Sequence, residues 1–310
     1  LEDKLRQHVI AQEEAIAAVA QTLRVSFSLV RDPNRPKAVL LFTGPSGVGK
    51  TETARALAET LFADAAPQQL LTLDMAEFSE KHMLSQLIGS PPGYVDSDEE
   101  GRLTGWLRLH PFGVVLLDEI EKAHPRVRQA LLGLFETGRI TDARGRTVHG
   151  REAIYIMTAN LRAEATAPDT SSVEGAPAAP VNPSLELPPT EEQVRQRLAA
   201  TLSPEFVGRI HRIVLYQPLT HEALIQIAQL KLNQVRSRLW PEGIGLHVSD
   251  EVYDWLIAHG VDATTGARHL ERIIGSAILE PIAAQLSRGQ LARGSVASVR
   301  LEGGQPIVTA

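Results

Sequence analysis

Apolar positions along the chain change period several times, and each change predicts an element. Over residues 4 to 30 they recur at helical spacing, through Leu5, Val9, Ile16, Val19 and Leu23, until RDPNRP (31–36) breaks the pattern. AVLLF (38–42) follows, a run with no polar position, as strands buried on both faces of a parallel sheet have. It enters a glycine-rich turn and then the helix-forming KTETARALAETLF (50–62). LLTLDM (70–75) and GVVLLDE (113–119) are further buried-strand patterns, each followed by a helical stretch, and AIYIMTAN (153–160) is another. Strands alternating with helices predict an α/β domain with a mainly parallel sheet flanked by helices.

The pattern lapses at 163–189, where AEATAPDTSSVEGAPAAPVNPSLELPP holds six prolines and no aromatic residue. Such a segment cannot bury much and reads as a mobile insertion. Periodicity resumes in an amphipathic helix from Glu191 to Leu202, and a second unit begins after IVLYQPLT (213–220). That unit carries a long helix (220–238), a short strand at LHV (246–248), helices through Ser287 and a β-like tail, SVASVRL (295–301). The expected division is a large domain over 1–217, containing the insertion, and a smaller mixed α/β domain over 218–310. No internal repeat or heptad run is present.

Composition narrows the function. The 310 residues are 43% hydrophobic, as in ordinary globular proteins, and no apolar run approaches the length of a membrane span. The absence of cysteine removes disulfides, thiolate catalysis and cysteine zinc sites, and fits a reducing compartment. A net charge of −6 argues against the broad basic face of a nucleic-acid binder. The opening LEDKLRQHVI is neither a signal peptide nor an initiator methionine, so the chain reads as a piece of something longer.

GPSGVGKT (44–51) fits the phosphate-loop pattern G-x-x-x-x-G-K-[ST] in full, with an apolar strand before it and a helix after it. Gly44, Pro45, Ser46, Gly47, Val48 and Gly49 would wrap backbone N–H groups around a phosphate at a helix N-terminus. Lys50 would reach the β- and γ-phosphates, and the Thr51 hydroxyl would ligate Mg²⁺. Two carboxylates end the strand VVLLDE. Asp118 is the expected Mg²⁺ partner and Glu119 is placed to polarise a water for attack on the γ-phosphate. Without the phosphate loop, the same pair would read as two solvated acids at a strand end.

These residues bring the chain into resemblance with the AAA+ ATPase module of Clp-type protein unfoldases, and most closely with the second, C-terminal module of ClpB-like disaggregases. The resemblance runs from HVIAQEEAI (8–16) to GARHLERII (266–274), leaving out the proline-rich segment. It is carried by LDEIEKAHP (117–125), GRITDARGRTV (138–148), IMTAN (156–160), SPEFVGRI (203–210) and TGAR (265–268). It implies ATP and Mg²⁺ as cofactors, with Val9 and Ile10 packing on the adenine. The family usually has glycine where Ala11 stands, and a methyl there reads as a small change. Asn160 matches sensor 1, which orients the attacking water; Arg209 matches the arginine finger offered to a neighbouring subunit; Arg268 matches sensor 2. Taken alone, Asn160 would read as a strand cap, Arg209 as a surface arginine beside Arg212, and Arg268 as the partner of Glu271.

The resemblance also implies a substrate-gripping pore loop in GSPPGYV (89–95), with Tyr94 and Val95 at its tip, and a second axial loop in DARGRTVHG (142–150). An aromatic on a stiff loop grips extended polypeptide regardless of sequence. The family reads Gly-Tyr-Val-Gly where this chain reads Gly-Tyr-Val-Asp, which brings Asp96 to the loop. Glu99 and Glu100 read instead as acids favoured at the N-terminus of the helix that follows. The implied function is an ATP-driven unfoldase or disaggregase working as a ring, a homohexamer, on unfolded or aggregated polypeptide in the bacterial cytosol, with an organelle matrix as the alternative compartment. The alternatives are a single-client remodeller of the ClpV secretion type and a nucleic-acid motor on the same scaffold. Phosphate tracking needs Lys or Arg, so an acidic chain with an acid-flanked pore loop counts against nucleic acid. No protease docking is expected, because residues 161–202 lack the family's docking tripeptide and Ile244-Gly245-Leu246 stands where the small domain should enter a strand. No membrane partner is expected either.

Overall fold

The computed structural model describes residues 1–90, 100–160, 190–261 and 266–309, with Arg268 described in its backbone alone. Tyr94, Val95 and Asp96, and the proline-rich segment 163–189, lie outside the described residues. The chain forms two compact units that interleave along the sequence, one of residues 18–43 and 61–215, the other of 1–17, 44–60 and 216–310.

The first unit is built on a parallel sheet of β1 (Ala38–Thr43), β2 (Leu70–Asp74), β3 (Val114–Asp118), β6 (Ile154–Ala159) and β7 (Arg212–Leu215), in the order β2-β3-β6-β1-β7. β1 and β6 are buried along their whole length, which is why their sequences carry no hydrophobic–polar alternation. The register sets Asp74 beside Asp118 and Thr43 beside Ala159, so the carboxyl ends of the strands finish level. In open α/β sheets that edge is where ligands bind. The helix Pro125–Thr137 supplies Val127, Leu131, Leu134 and Phe135 to the core, and the helix Glu191–Leu202 adds Val194, Leu198 and Leu202. Thr190 and Gln193 close a capping box at the start of the latter, as an N-terminus with Thr followed three residues later by Gln should. A short antiparallel hairpin, β4 (Arg139–Thr141) and β5 (Thr147–His149), occupies most of the segment matched to a second axial loop.

The second unit has a three-stranded mixed sheet of β8 (Gly245–Val248), β9 (Val296–Glu302) and β10 (Gln305–Thr309), parallel between β8 and β9 and antiparallel between β9 and β10. Its core gathers Ala228 and Leu232 from the helix His221–Leu239, Val252 and Leu256 from Asp250–Gly260, and Ile274, Ile278 and Ile282 further on. Ile244-Gly245-Leu246 runs into β8.

Residues 4 to 30 do not form one helix. Two helices, Glu2–Arg6 and Glu13–Ser26, are separated by a turn, and the apolar spacing runs through the break because Val9 is buried from the turn itself. Ala11 sits in that turn at φ 56°, a left-handed conformation in which a Cβ is strained, so replacing the family's glycine is a larger change than the sequence suggests. Gln12 fixes the turn from the next position: its Nε2 donates to the Gln217 carbonyl at 2.9 Å and its Oε1 accepts the Gln217 N–H at 3.0 Å.

Candidate functional site

In the second unit the glycine loop lines a cavity of about 220 Å³. One wall is Gly47 through Glu52; the others come from His8, Val9 and Ile10, from Ile227, Leu230 and Lys231 on a helix, and from Ala267 and Glu271. The loop's shape depends on glycine. Gly44 has φ 146°, and a Cβ there would lie 2.5 Å from the Tyr216 carbonyl oxygen. Gly266, in the TGAR segment, has φ 57°, and a Cβ there would fall 2.3 Å from the Ser46 carbonyl oxygen, so two backbones touch where no side chain fits.

Lys50 opens the helix Lys50–Phe62 and is only 6% exposed; its ammonium donates to the carbonyls of Gly44 at 2.8 Å and Pro45 at 2.6 Å. A helix N-terminus, a fixed lysine and a loop of small residues form an anion-binding cradle, and the apolar wall of Val9, Ile10, Ile227 and Leu230 suits a flat base. The residues present therefore fit a nucleotide. Lys231 pairs with Glu271 at 2.5 Å, and that bond holds the Glu271 carboxyl below the usual range. Glu271 thus has a partner other than Arg268, whose side chain lies outside the described residues.

The first unit carries a second group, at the carboxyl ends of β3 and β6. The β3–β6 ladder ends at the pair Leu117 and Met157, and side chains continue it. The buried Thr158 hydroxyl donates to Asp118 Oδ1 and accepts the Glu119 backbone N–H at 2.9 Å. Glu119 itself stands at φ 56°, ψ 53°, left-handed without being glycine, the kind of strain that surrounding structure must hold in place. One position beyond β6, Asn160 Nδ2 donates to Glu119 Oε1 at 2.9 Å, and the Asn160 backbone N–H donates to Glu121 Oε1 at 3.1 Å. Burial pushes the Glu121 carboxyl above the usual range, and neighbouring Glu119 adds to the effect.

The expected residues thus fall into two sets. Val9, Ile10 and residues 44 to 51 gather in the second unit; Asp118, Glu119 and Asn160 gather in the first. Arg209 follows the short helix Pro204–Val207 in the first unit, is partly buried, and makes an ion pair with Glu136 at the end of the helix Pro125–Thr137. Glu99 lies outside the described residues; Glu100 stands just before the N-cap Gly101 of the helix Arg102–Leu109, with its carboxylate on that helix's Arg108 Nη1 at 2.9 Å and on Arg146 Nη2 at 3.4 Å. Thr158 and Glu121 were not anticipated as site residues. Both lie inside motifs that are visible in the sequence, IMTAN and LDEIEKAHP, but their contacts depend on the β3–β6 register.

Mg²⁺ takes hard oxygen donors and keeps water and substrate phosphate in its shell. Thr51 and Asp118 offer a hydroxyl and a carboxylate of that kind, and among the described residues no cluster of three or more His, Asp or Glu could hold a metal alone.

A parallel sheet whose first strand runs into a glycine-rich loop and helix, with paired acids ending another strand, defines a P-loop nucleotide-binding ATPase. Within that class, residues 35–213 match the family model of the AAA domain (Cdc48 subfamily), and residues 219–299 match that of the C-terminal, D2-small domain of ClpB protein. The chain belongs to the AAA family. It is 38% identical over 309 residues to the chaperone protein ClpB of Rhodopirellula baltica, covering 98% of this chain and 33% of that protein. Against the chaperone protein ClpB of Aquifex aeolicus the identity is 40% over 307 residues, covering 98% and 30%. Against the probable chaperone protein ClpB 1 of Chlorobaculum tepidum it is 39% over 302 residues, covering 97% and 67%. The chain therefore spans about a third of the first two relatives. Among the described residues no helix is long and apolar enough to cross a membrane.

Proposed function

We propose that the chain is an ATP-hydrolysing module that remodels protein, acting in a homohexameric ring on unfolded or aggregated polypeptide in the cytosol. The observation that carries this reading is the hydrogen-bonded set of Asp118, Thr158, Glu119 and Asn160 at the carboxyl end of the sheet, in a chain that also carries an intact glycine loop and lysine. In this reading Val9 and Ile10 pack on adenine, and the backbone N–H groups of Gly44 to Gly49 and the Lys50 ammonium hold phosphate. Mg²⁺, held through Thr51 and Asp118, would supply charge neutralisation at the phosphates.

The protein's own part is positioning and proton handling. Glu119 takes a proton from water, and Asn160 fixes the carboxylate that does so. Arg209 leaves Glu136 to meet the phosphates of a neighbouring copy, which makes turnover depend on assembly. Arg268 senses nucleotide from the small domain, and Tyr94 and Val95 grip the polypeptide. The domain division is 1–217 and 218–310, and neither a protease, a membrane nor a nucleic acid is a partner.

The test is turnover of ATP by the purified protein and its Glu119→Gln variant, with and without an unfolded polypeptide. Expected is turnover stimulated by the polypeptide, and a loss in the variant of about a thousandfold in kcat with ATP binding retained. Normal turnover in the variant, or stimulation by nucleic acid but not by protein, would sink the reading.

A further inference from the structure

Glu121 is the one acid of LDEIEKAHP that the proposed chemistry leaves without a task, and its surroundings are unusual. It lies in the short 3₁₀ turn Ile120–Lys122 that leaves the active-site end of β3. Its Oε1 accepts the Asn160 N–H, while its Oε2 is buried with no hydrogen-bond partner among the described residues. A side chain selected only to stabilise the turn would avoid a half-satisfied buried carboxyl, since glutamine or an apolar residue carries less desolvation cost there.

What Glu121 does is local. β6 ends at Ala159, and its ladder with β3 has already stopped at Met157, so Glu121 supplies the acceptor for the Asn160 N–H. The same residue's side-chain amide reaches Glu119. Glu119 is therefore gripped twice: by its own N–H on Thr158, and by its carboxylate on an asparagine whose backbone Glu121 anchors.

We propose that Glu121 is a positioning residue for ATP hydrolysis, holding the Asn160 backbone so that its amide stays on the Glu119 carboxylate. This rests on the reading of Glu119 and Asn160 given above. Glu121 need not touch nucleotide, so its removal should affect the chemical step and spare binding, which belongs to the glycine loop.

The experiment measures kcat, KM for ATP, and affinity for a fluorescent ATP analogue in the intact protein carrying Glu121→Ala, Glu121→Gln or Glu121→Asp. Glu121→Ala should lower kcat roughly tenfold or more while KM and affinity stay within about twofold. Glu121→Gln keeps an oxygen acceptor at the same reach and should recover most of the rate. Glu121→Asp keeps the acid but withdraws the acceptor by one methylene, so it should behave like alanine, and it supplies a second measurement if the alanine variant does not fold.

In an Asn160→Ala background, Glu121→Ala should cost nothing further, because the two act through one link. Losses that multiply would overturn the proposal, as would a full rate in Glu121→Asp or a nucleotide affinity that falls with kcat. If Asn160→Ala and Glu119→Gln themselves leave kcat unchanged, the ATPase reading fails. If they lower it and Glu121→Ala does not, only the role of Glu121 fails.

Discussion

Two acids of the same unit, the buried Asp142 and the half-buried Glu121, are treated in opposite ways. Asp142 is 5% exposed, yet both of its oxygens are matched. Oδ1 accepts the N–H groups of Arg144 at 3.0 Å and Arg146 at 2.8 Å; Oδ2 accepts Arg146 Nε at 2.7 Å and Arg108 Nη2 at 3.4 Å. Glu100 completes the network from the other side of the two arginines. Burial alone would raise the Asp142 carboxyl, but the bonds from Arg146 and Arg144 outweigh it and the group is held below its usual range. Glu121 accepts the Asn160 N–H but no arginine, and burial, helped by neighbouring Glu119, moves its carboxyl upward. The difference separates scaffold from machinery. An acid with two arginines and two backbone donors fixes the turn of the β4–β5 hairpin. An acid left half-satisfied beside a second carboxylate is what the positioning role proposed for Glu121 calls for.

The largest break in that contrast comes from removing Asp142. Asp142→Ala strips the hairpin turn of two backbone hydrogen bonds and a charge-assisted pair, an expected loss of about 3 kcal/mol. A fall in the urea midpoint at constant slope would register it; an unchanged midpoint would mean that water replaces the carboxylate at no cost. The two acids should also give pH dependences of opposite sign. For Asp142 the unfolded chain binds more protons, so its contribution is fully present above the reference value of 3.8 and is lost as pH falls through the depressed folded value. For Glu121 the folded chain binds more protons, so its contribution is present below the reference value of 4.5 and is lost as pH rises through the raised folded value. The advantage of wild type over Asp142→Asn should therefore shrink on acidification, whereas its standing relative to Glu121→Gln should fall as pH rises. Slopes of the same sign would erase the distinction.

Those opposed environments were not legible in the sequence, although most of the fold was. β1, β3 and β6 announce themselves because parallel strands buried on both faces need unbroken apolar runs, and the glycine loop because its conformation is set by the residues that form it. β7 did not, being four residues long, nor did β10, which carries Pro306 beside a Gly-Gly turn. The break in the first helix hid because Val9 kept the apolar spacing while leaving the helix. In the site, Lys50, Asp118 and Glu119 follow from motif chemistry. The contacts of Thr158 and Glu121 follow only from the register that puts β6 beside β3, and no local pattern encodes that.

Thr158 sharpens the comparison at intermediate size, because it sits beside Asp118 and Glu119 and is itself fully used. It is 1% exposed and serves both Asp118 and the strained backbone of Glu119. Thr158→Val keeps the shape and the β-branching that a strand favours but removes the hydroxyl, at an expected cost of about 2 kcal/mol. A structural threonine would show that loss alone. One that also orders Glu119 should lower kcat more than it changes KM for ATP, so parallel calorimetry and steady-state kinetics tell the two apart.

The smallest expected effect concerns strain that has no compensating partner set of its own. Glu119 and Ala11 share nearly the same left-handed φ, 56° in both. Glu119 is tied there by Thr158 and Asn160, at the site proposed for hydrolysis. Ala11 has only its neighbour Gln12 clamped to Gln217. A left-handed alanine costs about 1–2 kcal/mol relative to glycine in the folded state. Glycine's greater freedom in the unfolded chain offsets about 0.5–1 kcal/mol of that. The balance favours Ala11→Gly by about 0.5–1 kcal/mol, with a thermal midpoint raised by about 2 °C in a chain of this size. Scanning calorimetry resolves that shift. A lower midpoint would show that the turn at residue 11 is relaxed as alanine and that the backbone strain is confined to Glu119.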